Sequence, residues 1–261
     1  MNSGMVLSKR TAAASRAVGI RPAYFVQHGT GIFQPTPSAA ASWSDGLLSG
    51  QAIAGLASST LERKYGAVGY LPARLTLDLL KPARAVPTHV HTRLVRHGNR
   101  MRIAECDIIQ DDWIVARATM LQYRESATPG TSDVTTARSI ADGDDQAHNA
   151  GRKRAYYGGL DAVAGLAATP FVRAAVVAEA AANLVTNPDT NRIGYVNGDL
   201  TVALSRLPRG VFIGVQADTN FAENGVSVGS ATLFDDAGAF GTSMVTAVAN
   251  PASRIDTGSR D

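Results

Sequence analysis

Apolar and polar residues alternate in short runs along most of this 261-residue chain, and two Ala-rich stretches interrupt the alternation. A period of two is the mark of a half-buried strand. It predicts strands at 23–28, 75–80, 88–96, 100–109 and 113–123, and again at 200–205, 210–217, 225–234 and 241–248. Turns are expected at Gln34-Pro-Thr-Pro37, His97-Gly98-Asn99 and Asp111-Asp112. The Ala-rich stretches predict helices at 51–65, ended by Gly66, and at 171–184. The first is apolar on nearly all sides at its start, so it should be buried rather than lie on the surface.

The order of these elements repeats. Arg74-Leu-Thr-Leu-Asp-Leu-Leu-Lys81-Pro82 returns as Asp199-Leu-Thr-Val-Ala-Leu-Ser-Arg206-Leu-Pro208, each time after a helical run. Downstream, the segment from Ile109 to Met120 echoes the one from Phe234 to Met244. A repeat of about 125 residues is too long for a solenoid unit and implies one small fold duplicated in tandem. One helix followed by antiparallel strands, twice over, requires a sheet curled around each helix. The predicted class is α+β, a tandem double hotdog. The expected boundaries are a flexible start at 1–20, a first hotdog at 21–124, an exposed linker at 125–154, a second hotdog at 155–250 and a loose tail at 251–261. The linker is set apart by Ser, Thr, Gly, Asp and Ala with few large apolar residues.

Composition narrows the function. At 45% hydrophobic and 18% charged residues the chain matches a globular protein, and no run reaches the roughly 18 apolar residues of a membrane span. The first ten residues lack a secretory apolar core, and the lone Cys106 suits a reducing cytoplasm. Charge is uneven: residues 1–155 hold 19 Lys/Arg against 12 Asp/Glu, and residues 156–261 hold 6 against 10. A basic half suits a polyanionic small ligand. Scattered arginines and 6% aromatics argue against nucleic acid. Exposed sheet edges predict assembly into homo-oligomers.

The quoted segments, with Leu48-Ser-Gly-Gln-Ala-Ile-Ala-Gly-Leu-Ala, Leu79-Leu-Lys-Pro, Val95-Arg-His-Gly-Asn and Met120-Leu-Gln-Tyr in the first copy and Asn197-Gly-Asp-Leu in the second, resemble the acyl-CoA thioesterase II family. The resemblance runs over roughly residues 23–250 apart from the linker. It implies an acyl-CoA substrate, no cofactor and no metal. It also implies a water held by an Asp, a Thr and a Gln, which fall on Asp199, Thr219 and Thr246. The last is a departure, because a hydroxyl is shorter than a carboxamide and offers one donor where the amide offers two. The family's helix-start Gly-Gly-Gln becomes Ser49-Gly50-Gln51, and a second-helix carboxylate falls on Glu179. Gly50 would lie at a helix N-terminus able to meet an oxyanion, with Gln51 and Glu179 beside the substrate.

The resemblance makes Asp199 the general base; taken alone, an Asp after Asn197-Gly198 is more often a turn former than a base. Glu179 could equally face solvent or pair with Arg173 or Arg206. Gly225-Val-Ser-Val-Gly229 matches a nucleophile elbow only on paper, since a strand follows it and the last histidine, His148, precedes Ser227. His89 and His91 share a strand face without a third metal ligand at a suitable spacing. The expectation is a thioester hydrolase. The alternative is a hotdog protein that binds acyl thioesters and turns them over weakly or not at all.

Overall fold

The computed structural model describes residues 21–42, 44–128, 154–157, 160–186, 192–250 and 255–256. The expected flexible start, most of the linker and nearly all of the tail lie outside them. The first copy holds β1 (Ala23–Gly29), β2 (Ile32–Pro35), a 3-10 turn (Pro37–Ala39) and α1 (Gly50–Tyr65). β3 (Tyr70–Leu79), β4 (Thr88–His97), β5 (Met101–Gln110) and β6 (Trp113–Arg124) follow. The second copy holds β7 (Arg154–Tyr157), β8 (Asp161–Val163) and α2 (Pro170–Thr186). It continues with β9 (Arg192–Ile193), β10 (Tyr195–Asn197), β11 (Asp199–Leu204), β12 (Ile213–Glu223), β13 (Val226–Asp235) and β14 (Gly238–Ala249). A short β15 (Ile255–Asp256) pairs with β9.

The strands form one sheet in the order β7-β12-β13-β14-β11-β3-β6-β5-β4-β2-β1-β8, with β10 also on β14. Pairing is antiparallel except that β1 and β8 run parallel. The copies meet edge to edge at β3 and β11, where Thr76 stands opposite Thr201 and Asp78 opposite Asp199. Each main strand of the second copy lies 125 residues after its counterpart, as Trp113–Arg124 does against Gly238–Ala249. β3 corresponds to β10 and β11 together, and both are bulged at the same place. Ala73 interrupts the β3–β6 register, and Gly198 separates β10 from β11. The ladder shifts one sequence match: Thr119, not Met120, is the counterpart of Met244. A one-residue shift reverses the sheet face. Met120 is accordingly fully buried while Met244 is 48% exposed.

Both helices lie against the concave face. Ser49 caps α1, its hydroxyl accepting from the Ala52 N–H at 3.2 Å, and Thr169 caps α2 by accepting from Val172. Leu56, Leu61, Phe171 and Val176 are buried between helices and sheet, each worth roughly 1.5–3 kcal/mol. The helices run antiparallel, since Gly50 meets Glu179, Gly55 meets Val176 and Glu62 meets Thr169. A Cβ at Gly55 would stand 3.2 Å from the Val176 methyl, so glycine sets their close approach. The Asp111–Asp112 turn has positive φ at both residues, as a tight hairpin of right-handed twist requires.

The repeat also preserves an anchoring job in different chemistry. Gln110 accepts the Arg84 N–H at 2.8 Å, and its counterpart Asp235 accepts the Arg209 N–H at 2.7 Å. Asp235 additionally takes both terminal nitrogens of Arg206, at 2.6 and 2.7 Å. Hydrogen bonds from Arg206 hold the Asp235 carboxyl down at about 2. Arg206 is therefore engaged here and does not pair with Glu179; Arg173 donates to the Gly210 and Val211 carbonyls. Asp235→Ala should cost about 3 kcal/mol in urea unfolding near neutral pH, because Arg206 loses its partner in a buried pair. Because this carboxyl's pKa is depressed, the wild-type advantage should fade as pH falls from 3.8 toward 2.

Candidate active site

Gly198 divides the candidate residues into two groups. Upstream of it, Asn197 stands opposite the buried Ala247, on the helix side of the sheet. Downstream, Leu200, Val202 and Leu204 are buried against the helices, so Asp199 lies on the other face. Without the bulge, residues 197 and 199 would share a face.

On the helix side, Glu179 is buried in the middle of α2 and receives a hydrogen bond from the Asn197 side chain. Its carboxylate reaches the first residue of α1. A Cβ placed on Gly50 would come within 2.0 Å of Glu179 Oε1. Gly50 lies in the first turn of α1, where backbone N–H groups have no acceptor within the helix. Burial pushes the Glu179 carboxyl up to about 7, and the hydrogen bond from Asn197 offsets part of that rise. A carboxyl that titrates near neutrality beside the Gly50 N–H at the start of α1 can accept a proton from water while that donor faces a developing oxyanion. Gln51, the next residue of α1, accepts a hydrogen bond from Tyr24 at 3.3 Å.

On the outer face, Asp199 meets Thr246. Its Oδ1 accepts from the Thr246 N–H at 2.7 Å and its Oδ2 from the Thr246 hydroxyl at 2.9 Å. Asp199 is half-buried and stands in a charged row with Asp78, Arg117 and Asp107 on successive strands. Arg117 donates to Asp107 at 2.6 Å. Thr219 is not with Asp199. It shares a hydrogen bond with Ser230 at 2.6 Å, and β13 and β14 separate its strand from β11, a distance of roughly 14 Å across the sheet. The structure thus sets Asp199, the expected base, with Thr246 on the outer face and apart from Thr219, and it sets Glu179 against Gly50. Asn197 was missed by sequence reasoning, although its place directly before the Gly-Asp pair was a signal.

A two-copy sheet wrapped on two antiparallel helices, with a carboxylate of one copy at the helix start of the other, defines a double hotdog. Family models match both halves: the acyl-CoA thioesterase N-terminal domain over residues 39–123 and the C-terminal domain over residues 120–248. This chain belongs to the acyl-CoA thioesterase family. Its fold is similar to that of acyl-CoA thioesterase II TesB2 from Mycobacterium marinum, at 12% identity and a TM-score of 0.62, covering 91% of this chain and 97% of that one. It is also similar to the tesB protein of Mycobacterium avium subs paratuberculosis, at 16% identity and a TM-score of 0.58, over 87% and 96% of the two chains. A conserved protein with a hot dog fold from Alicyclobacillus acidocaldarius aligns at 12% identity and a TM-score of 0.60, over 87% and 95%. No curated protein matches the sequence. No described helix is long and apolar enough to cross a membrane.

A raised carboxyl pKa is also a statement about stability. The folded chain binds the Glu179 proton more tightly than the unfolded chain, so stability falls as pH rises from 4.5 toward 7. The loss from this group is up to about 3 kcal/mol. Glu179→Gln should remove that part of the slope, leaving the variant the more stable protein at pH 8. Urea unfolding of both proteins between pH 4.5 and pH 8 measures the difference, and parallel curves would rule out a buried, titrating Glu179.

Proposed function

We propose that this protein hydrolyses acyl-CoA thioesters of fatty or related acids to the free acid and CoA, with Glu179 as general base. The observation that carries this reading is the buried Glu179 carboxylate lying against Gly50 at the start of α1. In this reading the thioester carbonyl oxygen is directed at the Gly50 N–H at the start of α1. Ionised Glu179 takes a proton from a water, and the water oxygen attacks the carbonyl carbon. The Gly50 N–H stabilises the oxyanion as the tetrahedral intermediate forms. Collapse breaks the carbon–sulfur bond, the electron pair leaves on sulfur, and the proton held by Glu179 returns to the CoA thiolate. Asn197 orients the carboxylate.

Asp199 has a supporting part. With both its oxygens engaged by Thr246, it ties β14 to the bulge that turns Asn197 toward the helix. Those same bonds favour the second reading, an acyl-thioester binder with little turnover, if the base were Asp199 rather than Glu179. The cytoplasm is the compartment this reading assigns.

Thiol release from a series of acyl-CoA chain lengths separates these possibilities. Wild-type kcat/KM should rise with pH and level off above about 7, as Glu179 ionises. Glu179→Gln should lower kcat by about 10²–10⁴-fold at pH 8. Asp199→Ala should lower it less, with a loss of stability of roughly 1–3 kcal/mol from the orphaned Thr246 donors. Binding of acyl-CoA by the wild type without thiol release establishes the binder instead.

A further inference from the structure

At the far end of α1 from Gly50, a cavity of about 350 Å³ opens between the copies. Its walls include Glu62, Val68, Tyr70, Pro72, Gln122 and Leu207. That volume falls within the range of small-molecule sites. By the 125-residue repeat, the cross-strand pair Pro72–Gln122 is the counterpart of Asn197–Ala247 at the Glu179 site. Each pair holds one carboxamide, on opposite strands.

Gln122 is fully buried, and its Nε2 donates to the Tyr65 carbonyl at 3.1 Å, which fixes the orientation of the amide. Its Oε1 is buried with no hydrogen-bond partner. Leaving such an acceptor empty costs about 1–3 kcal/mol, so an N–H supplied by a ligand is favoured there. Glu62 accepts a hydrogen bond from Thr169, the cap of α2, and burial raises its pKa. A carboxyl of α1 thus meets the start of α2 here, as a carboxyl of α2 meets the start of α1 at Gly50.

The rim beside this cavity is basic. Arg102 stands opposite Gln122 in the β5–β6 ladder and lies over the Tyr70 ring, 5.5 Å from its centre. Arg124 bonds Asn99 in the β4–β5 turn, which is followed by Arg100, and Glu125 is the carboxylate next to this group in sequence. The counterparts of these three arginines, 125 residues on, are Gly225, Ser227 and Ala249. The charge belongs to the first copy alone.

We infer that this cavity is a second coenzyme A thioester site, separate from the one at Glu179, with a pantetheine amide N–H on Gln122 Oε1 and the nucleotide phosphates on Arg100, Arg102 and Arg124. Apolar walls suit the alkyl parts of the pantetheine arm, and the arginines suit a polyanion. The inference rests on the acyl-CoA reading above.

Equilibrium dialysis of the full chain with S-octyl-CoA, a thioether that cannot be hydrolysed, tests it. Two equivalents should bind per wild-type chain. Leu207→Trp, which fills the cavity, should leave one. The double variant Arg100→Glu/Arg124→Glu should weaken one of the two sites by about tenfold, with the difference shrinking as salt is added. Circular dichroism melting of each variant reports whether it is folded. If Leu207→Trp fails to fold, Gln122→Met tests the same site. One equivalent per wild-type chain, unaffected by these changes, overturns the second site and leaves the thioester reading intact. No binding at all overturns both.

Discussion

The ladder between β3 and β11 is the contact on which the rest of this protein depends. Two hotdog copies, each with an open sheet edge, close those edges on one another, with Thr76 opposite its counterpart Thr201. Unpaired edge N–H and C=O groups invite aggregation, and this pairing removes one such edge from each copy. The same local two-fold arrangement sets the helices antiparallel beneath the sheet. Each helix start is thereby delivered to the flank of the other helix. A composite site with donors from one copy and a carboxylate from the other follows from that geometry, and a single copy could not assemble it.

Duplication then allows the copies to diverge without disturbing the frame. Gln110 and Asp235 hold the same loop amide in chemically different ways. At the cross-strand pair near the bulge, the first copy has proline and glutamine where the second has asparagine and alanine. These exchanges leave the ladder unchanged because they involve side chains, while the ladder is made by backbone groups. They do change which chemistry faces the helices. One end presents Asn197 to a buried glutamate, and the other presents an unpaired carbonyl beneath a basic rim.

The elements were legible because each announces itself locally. Strands 88–96, 100–109 and 113–123 and both helices were recovered to within two residues or so at each boundary, since alternation and helix caps are short-range signals. The short strands β2, β8 and β10 were not, because four residues or fewer carry too little pattern, and β8 exists through its parallel pairing with β1. The 125-residue repeat was visible, but matching the two methionines placed Met244 one position off. Only the ladder reveals which face a residue takes. The site was half legible: Gly50 and Glu179 were both candidates, yet their contact joins residues 129 positions apart across two copies and leaves no spacing signature.

The bulge at Gly198 sets Asp199 on the outer face, away from Asn197 and Glu179. A general base for water at neutral pH needs a pKa well above that of an ordinary carboxyl, and the lever is removal from solvent. Asp199, on the outer face with Arg117 nearby in its charged row and both oxygens accepting from Thr246, has its hydrogen-bonding capacity committed to holding a strand. Glu179 is buried where ionisation is costly, lies against Gly50 at the start of α1, and keeps Asn197 as its polar support. The residue that a strand motif makes conspicuous is therefore the brace. The carboxylate in an alanine-rich helix, which composition alone would suggest was misplaced, is the one that burial pushes up to about 7.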